Sequence, residues 1–280
     1  MTANDILVTR FARETFAASL NEASGGAGTP VPPQVEYLAR YAERLHAAAV
    51  VREEVYVDRH YMDEHAAYYS RMLTPPPHTV RRFHLFEHEL TQDGLAALLN
   101  EALTSSEARQ HVEEALTDKY LGFVSIRPIP AAPVGRTVLR TLNEPGAQRE
   151  IWALSPYDVH LANLRLCVQG LAFEQQDVAV GACATASVWS ALSRVAKHEG
   201  MRAPTPAEVS AAASRHVLPH GRGMPAASGL TLGQMCEAIR SVGFAPEAMR
   251  PRMPEIFLLA VHTYLLSGIP VVLGLWNDEV

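Results

Sequence analysis

Proline, glycine and capping residues recur at close intervals through the second half of this chain, and that punctuation limits it to short helices and short strands. Val188, Trp189, Leu192, Val195 and Ala196 make a helical stripe, with Gly200 just past its end. Thr205-Pro206-Ala207-Glu208 is a capping box with proline at the first helical position. Thr231-Leu232-Gly233-Gln234 is a second box, and Gly243 ends that helix. Pro254 opens a helix through Leu266, closed by Gly268, and Ile269–Trp276 then reads as a buried strand.

The first half is more mixed. Residues 5–22 read as a helix capped by Asn4 or Asp5, although its apolar pairs, Leu7 with Phe11 and Phe16 with Leu20, lie on different sides. Ser24–Pro30 is rich in glycine, so the first 30 residues are expected to be a helical arm and a flexible linker. A second helix follows Pro33 on Val35, Leu38, Tyr41, Leu45 and Ala48. Val50–Tyr56, Thr79–Leu90 and Leu121–Ile126 read as strands; Met62–Met72, Gly94–Leu103 and Glu107–Thr117 read as helices. Strands recur in Tyr157–Phe173, including the alternating Leu164, Leu166 and Val168.

The expected architecture is therefore α+β: a mixed α/β domain over residues 31–150, then a helical lobe with a partial antiparallel sheet over 151–280. Charge excludes one partner class. Lysine and arginine number 24 against 30 aspartates and glutamates, a formal charge of −6, so no basic surplus drives nucleic-acid binding. The apolar stretches Phe257–Val261 and Ile269–Trp276 fall short of the roughly 20 residues a membrane span needs. Three cysteines, Cys167, Cys183 and Cys236, have no metal-type spacing and read as reduced thiols in a cytoplasmic protein with no cofactor. The N-terminus has no secretory pattern.

The segment Gln175-Gln176-Asp177-Val178-Ala179-Val180-Gly181-Ala182-Cys183-Ala184-Thr185 carries the chemistry. It sets a cysteine, after a glycine turn, on the first turn of an amphipathic helix. Unpaired N–H groups and the positive helix end favour thiolate over thiol there. Gly181, Ala182 and Ala184 leave room for a substrate carbonyl, and an upstream glutamine supplies an oxyanion donor beside the cysteine's own N–H. The plain alternative is a buried, inert cysteine.

From about residue 170 onward the order of pieces resembles the papain-like cysteine peptidases, especially their bacterial bacteriocin-processing branch. The pieces are the glutamine, the Gly-x-Cys helix start, the capped helix from Thr205, Gly229-Leu230-Thr231-Leu232 before the next helix, and Ser267-Gly268-Ile269-Pro270-Val271-Val272. The resemblance implies that Cys183 is the nucleophile and Gln176 the oxyanion-hole glutamine, acting on a peptide or isopeptide bond through an acyl-enzyme. The sequence departs from it twice. The family glutamine lies six residues before the cysteine, where this chain has Asp177. No histidine follows His262, so the base is expected from further sequence or from a protein partner that completes the site. A non-catalytic interaction protein, or a pseudoenzyme with a relic lobe, is the competing expectation. A transglutaminase-like acyltransferase also starts a helix with Gly-x-Cys.

Weaker signals resolve toward structure. His84-Leu85-Phe86-Glu87-His88 matches a zinc-peptidase string, but on a strand its histidines stand about 13 Å apart, so surface histidines are expected. His198 lies about 22 Å along the helix from Cys183 and is excluded as a base. His216 and His220 flank a loop able to reach the site, and His262 sits on a helix face. Arg127-Pro128 and Gly135-Arg136-Thr137 read as solvated turns, Trp189 as core.

Overall fold

The computed structural model describes residues 6–142, 151–175, 183–215, 229–250 and 253–274. The chain divides into two compact units, the first Met1–Ala147 with Pro156–Gln175, the second Gln148–Ser155 with Gln176–Val280.

The first unit is built on a seven-stranded antiparallel sheet of order β1-β2-β3-β4-β5-β7-β6. Its strands are β1 (Ile6–Arg10), β2 (Ala49–Tyr56), β3 (Val80–Phe86), β4 (Tyr120–Ile126), β5 (Val134–Leu139), β6 (Ser155–Leu161) and β7 (Leu164–Phe173). The helices are α1 (Arg13–Ala23), α2 (Pro33–Arg44), α3 (Arg59–Glu64), α4 (Gln92–Glu101) and α5 (Ser106–Lys119), and α3 runs on into a wider π turn at His65–Tyr69. On α2, Val35, Leu38, Ala39 and Ala42 recur at helical spacing and pack with Phe16 and Leu20 of α1 against Val50, Phe83, Leu85 and Val124. Every residue of β4 is buried, Ser125 included, as its mostly apolar run requires of a central strand.

The sheet curls. Four strand steps separate β3 from β6, about 19 Å in a flat sheet. Yet the Arg82 guanidinium on β3 donates to the His160 carbonyl on β6, so the strands wrap into a half-barrel. Gly122 lets β4 bend at this point: its φ is +121°, and a Cβ there would stand 2.1 Å from the Val138 carbonyl oxygen. The open edge at β1 is covered by a side chain. Gln92 accepts from Val8 N–H at 2.8 Å and donates to the Ile6 carbonyl at 3.1 Å, the bonds a further strand would make.

Several expectations need correction. Residues 5–22 are not one helix, since Ile6–Arg10 pairs with β2 and the helix starts at Arg13. The two apolar pairs on different sides were the two elements. Nor are residues 1–30 an arm and a linker: Phe16 and Leu20 are core, and Asn21 donates to the carbonyls of Gly26 and Thr29, fixing the glycine turn. β5 was read as a turn because Gly135 and Arg136 interrupt its apolar pattern; they lie in a strand all the same. The strands of Tyr157–Phe173, expected in the second lobe, complete the first unit's sheet, because their alternating face needs that core.

The elements described in the second unit are all helices: α6 (Cys183–His198), α7 (Pro206–Ala213), α8 (Leu232–Ser241) and α9 (Pro254–Leu266). Both expected capping boxes form, Thr205 with Glu208 and Thr231 with Gln234. Trp189 is fully buried and its indole N–H donates to the Pro204 carbonyl at 3.1 Å, which locks α6 to the start of α7. The strand expected at Ile269–Trp276 does not form over 269–274, where Ile269 and Leu273 are exposed; Leu275 and Trp276 lie outside the described residues. A strand needs a neighbour for its N–H and C=O groups, and the described second unit offers none. Among the described residues, no helix is long and apolar enough to cross a membrane.

Candidate functional site

Cys183 is the first residue of α6, a helix of 16 residues. The stripe that sequence periodicity picks out is the one that packs: Val188, Trp189, Leu192 and Ala196 are buried. The helix is thereby a fixed platform, and its first-turn N–H groups are free of intrahelical partners as in any α-helix. Asp177 and the glycine turn before the cysteine lie outside the described residues, and so do Gln176, His216 and His220.

Gln175, the neighbouring glutamine, is fully engaged elsewhere. Its N–H donates to the Val134 carbonyl at 2.8 Å, and its side-chain oxygen accepts from Val134 N–H at 3.3 Å. Its side-chain amide reaches the Ala131 carbonyl at 3.4 Å, and its own carbonyl accepts from Arg127 at 2.7 Å. These bonds continue the sheet past the end of β7 and leave this amide no oxyanion role. Of the other histidines, His198 ends α6 beside Glu199, and His262 on α9 meets Trp152 edge-on at 6.0 Å. His160 is exposed on β6 of the first unit. Cys167 and Cys236, expected in core, are partly buried.

The polar groups that sequence reasoning missed are in the first unit, on the concave side of the sheet. Glu53, Arg82, His84 and Tyr120 sit side by side on β2, β3 and β4. Arg82 donates to Glu53 at 2.5 Å and lies 3.6 Å over the Tyr56 ring. His84 contacts Glu53 at 2.9 Å through Nε2 and the Tyr120 hydroxyl at 2.8 Å through Nδ1. The carboxylate only accepts, so Nε2 carries the hydrogen and Nδ1 accepts from Tyr120. Burial, and then the Arg82 charge, hold His84 below its ordinary pKa despite Glu53, and it is neutral. Burial raises the Glu53 carboxyl, but the His84 hydrogen bond and the Arg82 charge outweigh it and hold the carboxyl below the usual range. Burial keeps Tyr120 protonated.

His84 is thus a buried residue, not the surface histidine expected of that strand. The alternation of Arg82 and His84 was the available signal, but it does not say which face is wet. Among the described residues, no cluster of three or more histidine, cysteine or carboxylate groups suits a metal ion.

Arg127, expected in a solvated turn, is also buried. It donates to Glu64 at 3.1 Å, to the Ala132 carbonyl at 3.1 Å and to Gln175. Beside it Asp58, Tyr61, Arg136 and Glu174 line a narrow crevice. Burial, followed by the charge of Glu64, pushes the Glu174 carboxyl well up, against the opposing pull of Arg127. Glu174 therefore holds its proton where an ordinary carboxyl has lost it. Arg127 and Glu64 satisfy each other, and Asp58 accepts from the N–H groups of His60 and Tyr61, so these groups specify the half-barrel rather than present a reactive atom.

No known protein family, curated protein or solved structure matches the chain. The functional reading therefore rests on the residues themselves.

Proposed function

We propose that the second unit carries a papain-like cysteine hydrolase site, with Cys183 the nucleophile and Gln176 the oxyanion donor. The observation that carries this reading is the position of Cys183 at the head of a 16-residue helix anchored by Trp189. The Cys183 thiolate adds to the carbonyl carbon of a peptide or isopeptide bond, and the oxyanion collapses to a thioester as the amine leaves with a proton. Water then cleaves the thioester, releasing the acid and restoring the thiol. Both proton transfers need a base. His198 lies fifteen residues along α6, about 22 Å away, and does not supply it. The base comes from a further lobe, on the same polypeptide or on a partner, or else from His216 or His220, which lie outside the described residues. In support of a further lobe, the first half of α9 turns Ile256, Phe257, Leu258 and Leu259 to solvent, while Val261, Tyr264 and Leu265 further along are half-buried, as in a helix made for a larger core.

The same exposed helix favours a second reading, a non-catalytic interaction protein in which α9 meets a partner and the thiol is idle. One experiment separates the two. The protein is mixed with an activated peptide ester, quenched in acid and digested, and the Cys183 peptide is weighed. A thioester on Cys183, absent from C183S, supports the hydrolase. No acylation of Cys183 under conditions that acylate a free thiol peptide would leave the interaction reading.

A further inference from the structure

A small cavity between β1, β2 and α1 of the first unit plays no part in the chemistry above. Its volume is about 50 Å³, room for a few waters or a short branched chain. Phe16, Val50 and Phe83 give it an apolar lining, and each is a buried core side chain. Thr15 and Ser19, one turn apart on α1, add hydroxyls, and Arg10 and Arg52 add guanidinium groups.

The charges at this cavity are not balanced internally. Arg52 donates to Ser19 at 3.0 Å and pairs with Glu54, but Glu54 is shared with Arg81 at 3.0 Å. The Arg52 Nε is buried with no acceptor, an uncommon state for a guanidinium N–H. Arg10 meets Glu89 at 3.6 Å with both side chains more than 70% exposed, a pairing too weak to commit it. Two arginines, Arg10 and Arg52, therefore line the cavity, and no carboxylate is among its lining residues.

We propose that this cavity binds a small monocarboxylate with a short branched apolar tail. The carboxylate sits against Arg52 and Arg10, and the tail lies on Phe16 and Phe83. The apolar lining disfavours inorganic anions, and the cationic side disfavours amines. The same chemistry occurs in a free branched acid and in the last residue of a peptide ending in leucine or valine.

The test is titration of the full chain, isotopically labelled, with 3-methylbutanoate, 3-methylbutanamide, acetate and N-acetyl-leucine, following backbone amide shifts. Saturable shifts at Thr15, Ser19 and Val50 are expected with 3-methylbutanoate or N-acetyl-leucine. Whichever is tighter identifies the source. The neutral amide and acetate should each bind at least tenfold more weakly. R52Q should weaken binding at least tenfold, and S19L, which fills the cavity without changing charge, should abolish it. Equal response to acid and amide, absence of saturable shifts at these amides, or unaltered binding by a folded S19L overturns the proposal.

Discussion

Replacing Arg127 by methionine removes the cation that neutralises Glu64 and leaves most of the side-chain volume in place. Both members of the pair are buried, Arg127 at 1% exposure and Glu64 at 2%. The same change takes donors from the carbonyls of Ala132 and Gln175. Stranding one charge of a buried pair costs about 3–5 kcal/mol. At a urea slope of about 2 kcal/mol per molar, a loss of about 4 kcal/mol moves the midpoint down by about 2 M. The chain supplies separate reporters for the two units. Its three tryptophans, Trp152, Trp189 and Trp276, belong to the second unit, and of its 9 tyrosines only Tyr264 does. Urea unfolding followed by tyrosine near-ultraviolet dichroism should show the full shift in R127M, while the tryptophan fluorescence transition stays in place. The double variant R127M/E64M, which removes both charges, should recover most of the loss. A tyrosine shift under about 0.5 M in R127M, or a double variant no better than the single, would show that Arg127 is not what makes a buried Glu64 tolerable.

Three further outcomes are expected. Glu174 is held protonated in the fold, so its contribution to stability is full below the ordinary carboxylate pKa of about 4.3 and is lost as pH rises through its elevated folded value; E174Q should remove that component from a stability–pH curve. His84 has the opposite sign, because its folded pKa is depressed: stability is full above about 6.5 and falls as acid protonates the unfolded chain first. H84Q should flatten the curve in that window, and an unchanged slope would contradict the buried neutral assignment. In the second unit, W189A should cost about 3–5 kcal/mol, read as faster hydrogen exchange across the α6 amides with little change at β4.

Much of the fold was legible in the residues, for identifiable reasons. Capping chemistry is local, so Thr205–Glu208 and Thr231–Gln234 mark their helices without any tertiary knowledge. The mostly apolar run of β4 and the alternation of β7 are likewise local. Tertiary pairing was not legible. Ile6–Arg10 becomes a strand because β2 offers it an edge, and β5 survives its glycine and arginine because β4 and β7 flank it. The same holds for charge. Arg82, His84 and Arg127 look like surface residues in sequence, and only Glu53 and Glu64, 29 and 63 residues away, make their burial tolerable. At the candidate site, the helix start at Cys183 was legible from the glycine turn and the stripe behind it. The engagement of Gln175 was not, since it depends on β5.

A nucleophile at the head of α6 depends on the thiol of Cys183, and the ionisation of that thiol is the most direct measurement. Alkylation by iodoacetamide, with site-resolved mass spectrometry across a pH series, gives separate rate profiles for Cys167, Cys183 and Cys236. A helix-head nucleophile should react fastest at neutral pH, with a midpoint below the free-thiol value of about 8.5. A Cys183 midpoint at or above that value, with a rate no greater than those of Cys167 and Cys236, would contradict it.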